Sequence, residues 1–328
     1  LYGKFVFQLN QVSFSIPHRT LLQPTSLNFE AGYVYSLIGH NGSGKSTLIK
    51  LMARQHSISS GEILLDGKKL NHWNSREFAK RVAYLPQHLP QTTNMTAKEL
   101  IAMGRYAWNG LFGRQTSADK QAIQRALELT HTEKFANQIV DTLSGGERSR
   151  IWLAMLLAQQ SQYLLLDEPL AALDIAHQVE VMQLVYQLSR ELNLGVIIVI
   201  HDINLASRFC DHLVALHSGK LLVQGNAHEI VNTSSLQAIY GIELNVLDHP
   251  EAHRPVSFYL EHNMKKILFI LTALFSIYVQ AGEGQQNIAT VDWTVTETLL
   301  ALGENPIAVG DIHSYRTWVM EPKPPEDT

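Results

Sequence analysis

One cysteine, Cys210, stands in 328 residues, so no intramolecular disulfide can form and a thiolate metal cluster is excluded. That suits a reducing cytoplasm for most of the chain. Surplus positive charge is also missing: 26 Lys and Arg face 30 Asp and Glu, a formal net charge of −4. Proteins that bind nucleic acid carry a basic face, so no nucleic acid is expected as a partner. Charged residues make up 17% of the chain and apolar ones 45%, which describes a globular protein with a substantial core. The length allows one large domain or two ordinary ones. No internal repeat is visible, and no apolar run reaches the ~20 residues of a membrane-spanning helix. Residue 1 is Leu rather than Met, so a start upstream of it is expected.

What is present is organised around residues 36–47, Ser-Leu-Ile-Gly-His-Asn-Gly-Ser-Gly-Lys-Ser-Thr. They fit G-x-x-x-x-G-K-[ST] as Gly39, Gly44, Lys45 and Ser46, between the apolar run Tyr33–Ile38 and a helical pattern, Leu48–Ala53. That strand–loop–helix context is what gives the motif its meaning. Gly39, Gly42 and Gly44 let the backbone curl so that successive N–H groups point at phosphate oxygens. The following helix adds its positive end. The predicted nucleotide site is therefore Gly39, His40, Asn41, Gly42, Ser43, Gly44, Lys45, Ser46 and Thr47, with Lys45 on the β- and γ-phosphates and Ser46 on Mg²⁺. The bland alternative, a Gly/Ser-rich turn that ends in Lys, leaves these flanks unexplained.

Residues 4–30 alternate apolar and polar and read as antiparallel strands, with Pro17 and His18 at a turn. Glu62–Leu65 and Val82–Leu85 are two more short strands. Thr96–Met103 and Ser117–Leu129 read as amphipathic helices, the second with Ser117 as N-cap and Asp119 in its first turn. Between them Gly104–Gly113 is an aromatic and glycine loop. Residues 88–150 are expected to form a mostly helical subdomain inserted into an α/β core. Tyr163–Leu166 and Val196–Ile200 are unbroken apolar runs, as for parallel strands covered on both faces. Ile175, Val179, Met182, Val185 and Leu188 between them have helical spacing, which makes a βαβ crossover. Two shorter strands around 212–225 and small helices to about Ile242 complete the domain.

Asp167 and Glu168 follow the apolar run Tyr163–Leu166 directly, at the strand end where α/β sheets bind ligands. Asp167 is placed to hold Mg²⁺ through its water shell, and Glu168 to polarise the water that attacks the γ-phosphate. His201 ends the next long strand and brings an imidazole to the same edge. Gln87, just after Val82–Leu85, is placed to touch both metal and water. Each alone reads equally as a capping or surface residue; four near strand ends beside one phosphate loop do not. Residues 143–147, Leu-Ser-Gly-Gly-Glu, then open another helix and form a second anion-binding N-terminus. One chain thus has one phosphate loop and two phosphate-binding devices. The economical explanation is that Ser144, Gly145 and Gly146 complete the site of a partner subunit, although an ordinary Ser-capped helix is the simpler reading of that stretch alone.

The order Gly39–Thr47, Gln87, Leu143–Glu147, Leu164–Glu168, Leu173-Asp174 and His201 resembles an ATP-binding cassette (ABC) transporter ATPase over residues 5–260. Within that family it is most similar to the ATPases of ferric hydroxamate siderophore importers, through residues 104–108 (Gly-Arg-Tyr-Ala-Trp), 143–148, 173–178 (Leu-Asp-Ile-Ala-His-Gln) and 255–258 (Pro-Val-Ser-Phe). The resemblance implies an α/β P-loop NTPase core with an antiparallel β subdomain and the inserted helical subdomain. It also implies ATP and Mg²⁺ as cofactors and a head-to-tail homodimer, each ATP held between one copy's phosphate loop and the other's Ser144–Glu147. Asp174 would bridge the two sites. An integral membrane permease would be driven through the helical subdomain and the Gln87 segment, supplied by a periplasmic siderophore-binding protein. The ATPase would lie peripherally on the cytoplasmic face of the inner membrane. Three positions depart from the family pattern. Glu147 stands where Gln is frequent, Pro169-Leu-Ala-Ala172 lacks the usual hydroxyls, and Ile16, with Phe14 nearby, holds the place of the adenine-stacking aromatic.

After residue 262 the character changes. Met264-Lys-Lys, an apolar stretch at 267–279 and Ala281 follow the pattern of a secretory signal peptide over 263–281. Beyond it, Asn287–Val291 reads as a strand, Thr294–Leu302 as a helix and Ile307–Val309 as a strand. With Asp292-Trp293 and residues 315–318 (Tyr-Arg-Thr-Trp), residues 282–328 resemble the start of a periplasmic siderophore-binding protein. Trp318 would be its ligand-lining aromatic. The expectation is two neighbouring genes joined in one reading, with anything after 281 periplasmic if expressed separately. Other function classes stay in view: the ATPase of another iron-chelate, haem or cobalamin importer, a cassette acting on DNA or ribosomes, a generic P-loop GTPase, or a non-enzymatic binding module. A metal site at His249 and His253 is set against a loop imposed by Pro250.

Overall fold

The computed structural model describes residues 6–110, 114–250, 253–259, 289–290 and 308–309. Its contacts divide the chain into Leu1–Leu260 and Glu261–Thr328.

In the first unit, strand β1 (Val6–Ile16) pairs antiparallel with β2 (Arg19–Glu30) around the Pro17–His18 turn, placing Phe7 opposite Phe29 and Leu9 opposite Leu27. Its other edge takes β4 (Ser60–Leu65), which continues into β5 (Lys68–Lys69). A second sheet has six strands in the order β10-β9-β3-β8-β7-β6. Its members are β3 (Val34–Ile38), β6 (Val82–Leu85), β7 (Tyr163–Leu166), β8 (Gly195–Val199), β9 (His212–His217) and β10 (Lys220–Gly225), parallel except for β10.

The apolar runs of this sheet split by parity, because successive side chains leave a strand on opposite faces. Tyr163, Leu165, Ile197 and Val199 join the core shared with the antiparallel sheet and helix α1 (Lys45–Met52). Leu164, Leu166, Val196 and Ile198 join the core on the other face. That core includes α3 (Ala97–Met103), α5 (Ser117–Thr130), α6 (Gly145–Ala158), α7 (Ile175–Glu191) and α8 (Ile203–Phe209). Full burial of each such side chain stabilises by about 1.5–3 kcal/mol. A run with no polar interruption is what two covered faces require.

Several elements differ from the sequence reading by small, explicable amounts. The cap of α5 is Thr116, not Ser117: its hydroxyl accepts the Asp119 N–H, and Asp119 accepts the Thr116 N–H at 2.8 Å, a reciprocal capping box. The glycine-flanked loop contains a short helix, α4 (Tyr106–Asn109). Strand β8 ends one residue early, which leaves Ile200 and His201 as its exit. Helix α2 (Ser75–Ala79) was not expected; it is tied to α4 by Arg76, which donates to the carbonyls of Ala107 and Trp108. A C-terminal hairpin, β11 (Asn245–Asp248) and β12 (Pro255–Phe258), follows two small helices, α9 (Ala227–Ile230) and α10 (Thr233–Tyr240). His249 and His253 occupy its turn, closed by the His253 N–H on the His249 carbonyl at 3.0 Å. Among the described residues no group of three or more His, Cys, Asp or Glu is arranged to hold a metal, and no helix is long and apolar enough to cross a membrane.

Arg105 and Asp119 form a buried ion pair at 2.8 Å. The same guanidinium donates to the Ala158 carbonyl at 2.7 Å and to Gln160 at 2.8 Å, so α3, α5 and the end of α6 meet on one cation.

In the second unit, β13 (Ala289–Thr290) and β14 (Ala308–Val309) pair in parallel. The signal-peptide segment at 263–281, with Lys265, Lys266 and Ala281, the helix at 294–302 and Trp318 lie outside the described residues.

Candidate active site

The phosphate loop leaves β3 at Ile38. Gly39 has φ +138°, and a Cβ there would collide with the Leu216 carbonyl. Gly44 caps α1 at φ +105°, where a Cβ would sit 3.1 Å from the Leu21 carbonyl. Both conformations select glycine. Lys45 is only 4% exposed. Its ammonium donates to the carbonyls of Gly39 at 2.8 Å and His40 at 2.9 Å, with the Ser43 hydroxyl at 3.5 Å. Burial pushes its pKa down, and the charges of Glu168 and Asp167 oppose this. His40 sits edge-on to His217, ring centres 4.5 Å apart, with Nδ1 2.7 Å from the Asn41 carbonyl. Ser46 and Thr47, half-buried, are the next residues of α1.

Asp167 is 0% exposed, and neither carboxylate oxygen makes a hydrogen bond of normal geometry. Burial raises its pKa; the nearby Ser46 hydroxyl, Lys50 and Lys45 act the other way. An unpartnered buried carboxylate is costly unless a cation or donor meets it. Together with the Ser46 hydroxyl it is a hard oxygen donor set, which fits Mg²⁺.

The sheet order explains the rest of the constellation. Strands β8, β7 and β6 are neighbours, so the residues that leave their ends meet. Glu168 Oε2 accepts from Gln87 Nε2 at 2.8 Å, and Oε1 lies 2.9 Å from His201 Nε2. The Glu168 side chain is 15% exposed, and its backbone is left-handed at φ +53°, a strain of about 1–3 kcal/mol of the kind that clusters at functional sites. The structure thus places Gln87, Glu168 and His201 together, with Gln87 on the carboxylate.

The start of α6 has a different environment. Ser144 caps α6, and Glu147 Oε2 accepts both the Ser144 N–H at 2.9 Å and its hydroxyl at 2.8 Å. Those two bonds, the backbone one foremost, hold the Glu147 carboxyl below its ordinary range. Gly145 faces Leu173, and Gly146 lies directly under the His177 ring. Asp174 caps α7, accepts the His177 N–H at 2.9 Å and holds the ring through Nδ1 at 2.8 Å. The His177 N–H and then its ring lower the Asp174 carboxyl. His177 has no assigned role in the sequence reading; its only signal there is its place three residues after the capping Asp174. Among the described residues no hydrogen bond joins Ser144–Glu147 or Asp174 to residues 39–47. Ile16 stands exposed at the end of β1, while Phe14 stacks on His56 at 5.3 Å.

The ABC transporter family model matches residues 22–171. The chain is 42% identical over 246 residues to the petrobactin import ATP-binding protein FpuC of Bacillus anthracis, covering 75% of this chain and 90% of that protein. It is 38% identical to the ferric enterobactin transport ATP-binding protein FepC of Escherichia coli (strain K12), covering 75% and 91%. It is 35% identical to the iron(3+)-hydroxamate import ATP-binding protein FhuC of Bacillus subtilis (strain 168), again covering 75% and 91%. Among solved structures, a metal-chelate type ABC transporter in an inward-facing conformation matches with a TM-score of 0.67 at 23% identity, covering 78% of this chain and 98% of that one. A bacterial ABC transporter cassette described as dimeric matches at 0.58 and 26%, covering 67% and 98%. The fold is that of these cassettes: a P-loop α/β core with an antiparallel β subdomain and a helical part.

Proposed function

We propose a function from the premise these matches supply, that this chain belongs to the ABC transporter family as an ATP-binding subunit: it hydrolyses ATP to power import of ferric siderophores, hydroxamates foremost, across the cytoplasmic membrane. The observation that carries the chemistry is the meeting of Gln87, Glu168 and His201 at three adjacent strand ends beside Asp167 and Lys45. Lys45 exchanges its bonds to the loop carbonyls for β- and γ-phosphate oxygens, and the N–H groups of Gly39–Thr47 bind the same phosphates. Ser46, Asp167 and Gln87 would hold Mg²⁺. When bound, that ion neutralises charge on the transferring phosphoryl group. Glu168 polarises the attacking water, and His201 and Gln87 fix its carboxylate. Catalysis is positioning and charge neutralisation.

Ser144, Gly145, Gly146 and Glu147 complete the site of a second copy, and Asp174 bridges the two sites. Supporting this, among the described residues no hydrogen bond joins them to the phosphate loop of their own chain, and a cassette of this fold is described as dimeric. Leu89, Met103, Tyr106 and Trp108 stand exposed on the helical part and the Gln87 segment, a surface suited to an integral membrane permease. The subunit lies on the cytoplasmic face of the inner membrane, and a periplasmic siderophore-binding protein delivers cargo. The sequence pattern of residues 264–328 supports reading them as the signal peptide and opening of such a protein.

The named relatives carry different chelates, so uptake is the test. Radiolabelled iron is supplied in turn as hydroxamate, catecholate and citrate complexes to cells with the wild-type chain or Lys45→Ala. Loss of hydroxamate uptake alone is expected. Selective loss of catecholate or citrate uptake reassigns the cargo, and uptake of all three unchanged by the mutation overturns the siderophore reading.

A further inference from the structure

The hairpin β11–β12 is fastened to α8, the helix that follows His201. That residue sits between the end of β8 and Asp202, which caps α8 by accepting the N–H groups of Asn204 at 2.8 Å and Leu205 at 3.1 Å. One face of α8 then meets the outer edge of β12. Asn204 Nδ2 donates to the Ser257 carbonyl at 3.0 Å, and Asn204 Oδ1 accepts the Ser257 N–H at 2.8 Å and hydroxyl at 3.1 Å. One turn later the Ser207 hydroxyl donates to the Pro255 carbonyl at 2.7 Å. Asn204 thus takes the place of a neighbouring strand at Ser257, whose other edge faces β11 in register with Val246. Ser207 and Ser257 are both buried; the Ser207–Pro255 bond is shielded from water and the Asn204–Ser257 bonds partly so.

We propose that this hairpin belongs to the hydrolytic apparatus: the Asn204–Ser257 clasp fixes the start of α8 and so holds His201 within reach of Glu168, which makes Asn204 a positioning residue. The inference rests on the roles proposed above for His201 and Glu168. Only Asp202 and Ile203 separate Asn204 from His201, and this short segment is tied at one end by the Asp202 cap and at the other by the 2.9 Å contact of His201 to Glu168. Sub-ångström placement is what such contacts need.

The test uses the full chain in single-turnover ATP hydrolysis with enzyme in excess, which keeps slow rates measurable, beside binding of a fluorescent ATP analogue and thermal melting. Asn204→Ala is expected to slow hydrolysis about tenfold while analogue affinity stays within about twofold. Asn204→Asp keeps the volume and both acceptor bonds and is expected to fall in between; it carries the test if the alanine variant does not fold. In a His201→Ala background the Asn204 change is expected to slow hydrolysis no further, because contacts acting through one group are not additive. No slowing in the wild-type background, or equal slowing in both, overturns the inference. If His201→Ala alone hydrolyses at the wild-type rate, the role proposed for His201 falls and the clasp's function with it.

Discussion

Gly146 is the residue on which the start of α7 presses against α6. A methyl group there would overlap the His177 ring, which Asp174 holds from the other side. Gly145, one position earlier, has room: its Cβ would reach Leu173 only at 3.4 Å. Gly146→Ala is therefore expected to lower stability by about 1–3 kcal/mol through overpacking, and Gly145→Ala to leave it level or slightly higher because Ala favours helix. Thermal melting of the two variants decides; equal melting temperatures would mean that His177 moves aside freely. At this scale the phosphate loop was fully legible, because glycines at fixed spacing answer a backbone demand. Glu168, His201 and Gln87 were legible as residues at strand ends. Their partners were not: that Gln87 donates to Glu168 follows from β6 lying beside β7, and strand order is not written in any local stretch. His177 escaped for the same reason, since it gains its role only where α7 meets α6.

Among the elements, the helical subdomain turns on Arg105 and Asp119. Burial alone would raise the Asp119 carboxyl, but the Thr116 hydroxyl, Arg105 and the Thr116 N–H more than reverse that and hold it far below the ordinary 3.8. A carboxyl whose folded pKa is depressed contributes stability above its unfolded value and loses it as pH falls through the range below. Asp119→Asn leaves the buried guanidinium without its counter-charge and is expected to cost about 3–5 kcal/mol at pH 7. The gap to wild type should narrow as pH falls below 3.8, because the unfolded wild-type chain then takes up a proton that the folded carboxylate still resists. Urea unfolding at neutral and acid pH measures both; a gap independent of pH would assign the loss to shape and not charge. The strands and long helices were readable from parity and 3.6-residue spacing. The α5 cap was misplaced by one because Thr116 and Ser117 are both able to cap, and the arbiter is Asp119, three residues after Thr116. The β11–β12 hairpin was missed because four-residue strands with Asn245, Asp248 and Pro255 at their ends have little alternation to show.

For the molecule as a whole, mass is the informative quantity. Under native conditions with Mg²⁺ and ATP, Glu168→Gln is expected to bind without hydrolysis and to double in mass, since each bound nucleotide then recruits the second copy's Ser144–Gly146; a monomer at every nucleotide concentration would sink the shared-site reading. Under denaturing conditions, protein expressed from its own gene context is expected to end near residue 262, whereas a C-terminus beyond that residue would establish a genuine fusion. What whole-molecule organisation the sequence could carry came from motif order and the compositional break after residue 262; the arrangement of partners resides in surfaces that one chain displays only in part. The lone Cys210, at the end of α8, has a further use. It is buried, and burial pushes its thiol far above the range in which it ionises. The native surface therefore offers maleimides nothing to attack. Cysteines introduced at the exposed positions Gln121 on α5 and Gln187 on α7 would take donor and acceptor dyes without removal of any natural residue. The chain is in effect already a background-free host for fluorescence measurements of how its helical part turns against its core during turnover.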